Sequence, residues 1–219
     1  SNVILTVNGS IYIIGELEMA DGSTVETTEG NVDIESQGIL DMGESTTLEM
    51  VGNLLLDGTM EADPGSRIIL DGNSSQTISS SISTPTFNSL FFTMNPSVFN
   101  ITATIEDTLD PGSQDFIISS GKTLTLGAGS VAIKSGGTWT QNGTLAPDPD
   151  SKILYTTSDQ TALSNITYGN VEHDGGTLTL EGDFTVAGTF TNTSGDFDPY
   201  SGDTGSLFDV TANGIVWDG

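Results

Sequence analysis

The one histidine of the chain, His173, stands between Glu172 and Asp174. Beside any of the many serines it could form a relay in which imidazole takes a hydroxyl proton and a carboxylate holds the ring. No G-x-S-x-G elbow accompanies it, and no paired-histidine zinc motif occurs. The simpler reading is an exposed turn histidine. No catalytic and no cofactor-binding residue is assigned.

Polysaccharide cleavage makes different demands. A lyase needs a cation next to the proton it removes alpha to a carboxylate, commonly with calcium nearby. Arg67 and Lys152 are the basic residues to weigh, but they recur at matching places in two similar stretches. A repeated turn does that; a unique active site does not. A hydrolase needs two carboxylates about 5–9.5 Å apart, and among 30 acidic residues such pairs arise by chance. The expectation is a protein that is not an enzyme, with a lyase or hydrolase as the alternative.

Acid-rich turns are the better chemical candidates. Asp107, Asp110 and Asp115, then Asp148 and Asp150, then Asp196, Asp198 and Asp203 lie near Gly and Pro. Calcium takes several hard oxygen ligands, which such turns supply. None has the EF-hand spacing, and no nonapeptide calcium repeat is present. Solvated acids are the plainer reading, and Asp196, Asp198 and Asp203 are the set assigned to a candidate calcium site. Six Asn-x-Ser/Thr acceptors, at Asn8, Asn73, Asn100, Asn142, Asn165 and Asn192, are the glycosylation candidates. Thr-x-Thr pairs such as Thr123/Thr125, Thr138/Thr140, Thr177/Thr179 and Thr189/Thr191 would make a flat hydroxyl ladder only if they kept one offset in every repeat. The first repeats lack them.

What must position these residues is a repeat. Residues 8–29, 30–51 and 52–72 carry three alternating segments in the same order. The first holds Ile11/Ile13, Val32/Ile34 and Leu54/Leu56; the second Leu17/Met19, Leu40/Met42 and Met60/Ala62; the third Val25/Thr27, Leu48/Met50 and Ile68/Leu70. Gly15, Gly38 and Gly58 each precede the second segment by two residues. Period-2 apolar spacing inside a unit of 20–23 residues describes one coil of a β-solenoid. In residues 30–51 the inward set is Val32, Ile34, Leu40, Met42, Leu48 and Met50, with Asp33, Asp41 and Glu49 facing water.

A longer echo matches Met60–Leu70 to Leu145–Tyr155 at an offset of 85 residues, each followed by a Gln-Thr pair, Gln76-Thr77 and Gln160-Thr161. The chain therefore divides into regular coils over 3–72, an irregular coil or loop over 73–115, and a second block over 116–219 within one continuous body. Phe87, Leu90, Phe91, Phe92 and Phe99 concentrate apolar surface in the irregular part, which reads as a larger coil with an aromatic core. The predicted fold is all-β: a single-stranded parallel β-helix with three short strands per coil, almost no helix, and roughly ten coils at ~4.8 Å each.

The formal charge is −26, from 30 acidic and four basic residues. That field repels phosphate backbones and anionic bilayers, so neither nucleic acid nor a membrane is an expected partner. There is no cysteine, which excludes disulfides and thiolate metal sites. No apolar run reaches the ~18 residues of a membrane helix, and no signal peptide is visible. The chain reads as a mature segment or a piece of something longer. No polar cap is evident at either end, so the expected partner is another copy or neighbouring repeats.

The segments Gly30-Asn-Val-Asp-Ile, Gly58-Thr-Met-Glu, Thr123-Leu-Thr-Leu-Gly, Ser74-Ser-Gln-Thr-Ile with Thr86-Phe-Asn-Ser-Leu, and Gly176-Thr-Leu-Thr-Leu-Glu-Gly-Asp-Phe-Thr-Val-Ala-Gly-Thr-Phe resemble parallel β-helix repeats of large secreted prokaryotic surface proteins, adhesin-like and filament-forming ones included. The resemblance spans nearly the whole chain, but its motifs encode coil geometry and no chemistry. It implies an extracellular or cell-surface location and a structural or adhesive role, with end-to-end stacking into a filament. It transfers no catalytic residue. The alternative is a carbohydrate-binding or carbohydrate-cleaving β-helix using Trp139, Tyr155 and Tyr200 as exposed flank aromatics, with glycans as partners; a tail-spike-like trimer stands behind it.

Overall fold

Runs of three to six residues that alternate apolar and polar make strands whose side chains point alternately inward and outward. Glycine and Asn/Asp between the runs supply the turns. In a computed structural model, residues 3–72, 76–80, 85–92, 97–113, 115–156, 158–199 and 209–218 are described. Among them there is no helix, and the strands form a parallel β-solenoid of about nine turns with three strands per coil.

Each coil contributes one rung to each of three faces. Face A begins with Ile4–Asn8, Thr24–Glu29, Thr47–Met50 and Arg67–Leu70 and runs on through Val131–Lys134 and Lys152–Thr156 to the last coil. Face B stacks Ile11–Ile13, Val32–Ile34, Leu54–Leu56, Gln76–Ser79, Ser97–Asn100, Phe116–Ile118 and Trp139–Gln141. Face C begins with Glu16–Met19, Ile39–Met42 and Thr59–Ala62. Register is kept from coil to coil: Val25 lies on Leu48, Leu48 on Ile68, and Ile68 on Leu90.

The inward set is as the alternation requires. Val32, Ile34, Leu40, Met42, Leu48 and Met50 are all buried. Phe87, Leu90 and Phe99 are buried as well, so the aromatic-rich stretch fills the core; Gln76–Ser79 pairs in register with Ser97–Asn100, while Thr86–Phe92 shifts register against Ala103–Asp110 between Phe87 and Ser89. Phe92 lies in a strand but its side chain is outside the described set.

The corners are held by polar side chains reaching along the axis. Asn31 Oδ1 accepts the amide of Asn53 at 2.9 Å, and Asn53 Oδ1 accepts that of Thr77 at 2.8 Å. The repeated Gln-Thr pairs do related work inside the wall. Gln76 Nε2 donates to Met50 O and Gly52 O, and Gln160 Nε2 donates to Lys134 O and Thr156 O. Each buried amide ties its own corner to the preceding coil, which explains why these two residues echo.

Outward carboxylates stack in the same register as the core. Glu18, Asp41 and Glu61 stand one above another on face C, and Glu26 lies beside Glu49 on face A. Like charges directly opposite across a ladder are destabilising. Partial burial, then Glu35 and Asp57, raises the pKa of Asp33; partial burial, then Asp71 and Glu26, raises that of Glu49. A carboxyl whose folded pKa is raised binds more protons folded than unfolded, so stability falls as pH rises through it. The midpoint of thermal unfolding should therefore increase as the pH is lowered from neutral toward the ordinary carboxylate range, and the double variant D33N/E49Q should flatten that slope in circular-dichroism melts. An unchanged slope in the variant would contradict this.

Candidate functional site

His173 is on a strand, Asn170–Thr179, and is buried, not exposed on a turn. It occupies the inward row between Tyr155 and Asn192. Its Nδ1 meets Asn192 Oδ1 at 2.5 Å and its Nε2 meets Gly175 O at 2.7 Å. Both ring nitrogens are engaged inside the wall, where no substrate proton is in reach. The sequence reading missed the burial because Glu172 and Asp174 flank it; both simply point the other way.

The other sequence candidates fall apart in the same manner. Arg67 and Lys152 do open equivalent rungs of face A, but they make unrelated contacts: Arg67 Nε donates to Thr47 Oγ1, and Lys152 Nζ pairs with Glu172 at 2.8 Å on the surface. Such exposed pairs contribute about 0–1 kcal/mol. The turn acids are largely spent on backbone amides: Asp110 accepts from Gly112, Asp115 from Thr138, Asp148 from Asp150. Asp107 accepts the Ser89 hydroxyl.

Asp196 and Asp198 lie on a strand, Phe184–Asp198, and Asp203 falls outside the described residues. Among the described residues, no group of three or more His, Asp or Glu side chains is placed to hold a metal ion.

Asn8, Asn142 and Asn165 are exposed and Asn100 is half-buried, while Asn73 lies outside the described residues. Asn192 is a correction: its side chain is buried, bonded to His173 and to Gly195 O, and the folded wall holds it away from any modifying enzyme. The threonine pairs are divided among all three faces and build no continuous ladder: Thr123/Thr125 on face C, Thr138/Thr140 and Thr177/Thr179 on face B, Thr189/Thr191 on face A.

The proposed flank aromatics are also corrected. Tyr155 is 0% exposed and Trp139 7%, because both project into the core; Tyr200 is outside the described residues. Trp139 ends an inner stack with Phe116 and Phe99, at centroid spacings of 5.3 and 6.1 Å. Tyr155 closes a ring of three hydrogen bonds. Leu163 N donates to Tyr155 Oη at 3.1 Å, the two tyrosine oxygens lie 2.9 Å apart, and Tyr168 Oη donates to Leu163 O at 2.7 Å. Burial pushes the Tyr155 hydroxyl up to about 12 and Tyr168 well above its ordinary value.

That ring borders a place where the wall opens. Face A is continuous from Val131–Lys134 through Lys152–Thr156 to the next rung. Among the described residues, on face B Trp139–Gln141 pairs backward, to Phe116–Ile118, and Gln160–Thr161 pairs forward. On face C, among the described residues, Thr144–Pro147 pairs backward, to Thr123–Leu126, and Thr167–Tyr168 forward. Two of three ladders are thus interrupted at one level, and a cleft of about 810 Å³ lies between the coils. Polar residues replace the usual apolar core there: Lys134, Gln141 and Gln160 line it with Trp139. Lys134 Nζ donates to Gln160 Oε1 at 3.2 Å and to Gly137 O at 3.4 Å, and burial lowers its pKa. Periodicity alone could not reveal the cleft, since residues 131–168 keep strand-like alternation. The signal was Lys and Gln at inward positions.

Compared with protein-family models, with curated proteins and with solved structures, the chain matches none. The class defined by fold is the parallel β-solenoid.

Proposed function

We propose that this chain is a structural or adhesive β-solenoid of a cell surface, a non-catalytic rod that associates end to end with further copies of itself. The observation that carries the reading is the exposure of core-facing residues in the first and last described coils. Leu5 is on the core-facing row, yet it is 50% exposed; Ile215, which lies beside the buried Phe190 in the last coil, is 59% exposed. Tyr12 and Ile14 at one end and Trp217 at the other add exposed apolar surface. Interior residues of the same rows are covered by the neighbouring coil.

The two ends are complementary in kind. At one, face A offers Ile4–Asn8; at the other it offers the 214–217 part of Val210–Trp217, running in the same direction. A second copy placed head to tail would continue a parallel ladder and cover both apolar surfaces. Such a heterologous contact repeats without closing and builds filaments. Coil-to-coil repetition of core and corner chemistry supports a scaffold, as does the consumption of His173 and the turn acids in local bonds. Sedimentation of the wild type and of end-blocked variants tests the reading, as set out below.

A further inference from the structure

We infer that the cleft between the 131–147 and 152–168 coils is a binding site for an acidic sugar, a hydroxylated ring carrying one carboxylate. The site is separate from the ends and does not depend on their stacking. Two of its lining residues, Trp139 and Gln141, carry orphaned donors. The indole Nε1 of Trp139, a residue 93% buried by its 7% exposure, has no hydrogen-bond partner, and neither has the buried Nε2 of Gln141. A buried donor without a partner costs about 1–3 kcal/mol, so an occupant that accepts both bonds is favoured. Lys134 lines the same space, and its hydrogen-bond partners are the neutral Gln160 Oε1 and Gly137 O. Two unsatisfied N–H donors and a cation lacking a carboxylate among these partners call for an acceptor-only anion, which a carboxylate is.

The rest of the lining narrows the class. Asp159 and Glu181 also border the cleft, and with the formal charge of −26 they disfavour phosphates and other multiply charged anions. They suit ligand hydroxyls, which can donate to carboxylates. Leu145 and Ile166 supply an apolar wall for the C–H face of a ring. The interrupted rungs add backbone groups: in a parallel ladder, alternate residues turn both N–H and C=O toward the missing neighbour. A cleft of about 810 Å³ lies within the ~300–1,000 Å³ of ordinary ligand sites. Leu163, held at both its N–H and its C=O by the two tyrosines, is one of the lining residues.

Glucuronate and its neutral counterpart glucose are the probes, titrated calorimetrically into the full chain, with thermal melts in parallel. Glucuronate should bind saturably and raise the melting midpoint, and glucose should bind at least about ten-fold more weakly. K134M keeps the stem length and removes the cation; W139F keeps the aromatic packing and removes the N–H. Both should remain folded by circular dichroism. Each should weaken glucuronate by about ten-fold, with K134M abolishing the preference over glucose. Equal affinity for the two sugars would overturn the assignment. So would unchanged glucuronate binding in both variants, or no saturable binding to the wild type, which would make the cleft a site for water alone.

Discussion

Replacing Phe184 by alanine should destabilise the chain by about 3–5 kcal/mol, the largest loss expected from any single truncation here. Phe184 is buried at the centre of an aromatic cluster, 4.9 Å from Tyr168, 5.5 Å from Phe190 in an edge-on arrangement, and 6.0 Å from Phe197. Phe184, Phe190 and Phe197 lie on one long strand, Phe184–Asp198, and Tyr168 on the rung paired with it, so the cavity would loosen the last coils together. Each coil of a solenoid contacts only its neighbours, which makes the loss local at first. Urea titrations followed by circular dichroism should show the reduced stability. Hydrogen exchange should show lost protection concentrated after residue 152, with residues 24–70 spared. Uniform loss along the whole chain would contradict the coil-by-coil account.

Replacing Gly58 by alanine should cost about 3 kcal/mol, by overpacking and not by lost contacts. A Cβ there would stand 2.3 Å from both Glu35 O and Gly38 O, two backbone atoms of the preceding coil that cannot swing aside. Gly15 holds the matching sequence position two coils earlier, and a Cβ on it meets nothing within 4 Å. Gly15→Ala should therefore leave the melting midpoint nearly unchanged. The pair separates two explanations for a repeated glycine. If both substitutions cost the same, backbone freedom and not axial approach is the reason for the glycine.

The contrast also shows what could be read from residues alone. The first three repeats declared coil length, strand number and inward rows, because one face of every short strand is buried and the pattern has period 2. Gly38 and Gly58 were visible as punctuation, but their reason, a carbonyl of the coil below, is a contact between residues some 20 positions apart. His173 and Asn192 were misread because flanking polar residues suggest exposure, whereas in a strand the neighbours of an inward residue must point outward. Trp139 and Tyr155 were placed on the flank although they sit on the same inward rows as Phe116 and Ile153-type alternation would demand. The cleft was hidden for another reason: an interrupted ladder leaves no mark on the period, only Lys134 and Gln141 where Ile or Leu would fit.

Association of the ends is the central claim, and mixing two one-end variants tests it most directly. Leu5→Asp places a charge on the first coil's open surface and Ile215→Asp on the last, and both positions are already half-exposed, so the fold should persist. In sedimentation velocity at rising concentration, the wild type should grow into elongated oligomers, and more readily in salt, which screens the −26 charge. Each variant alone should stay at the 22.8 kDa monomer, since a head-to-tail contact needs one surface of each kind. Their equimolar mixture should give a dimer and nothing larger, joined through the intact end of each. A wild type that remains monomeric at every concentration, or variants that assemble as the wild type does, would contradict the account.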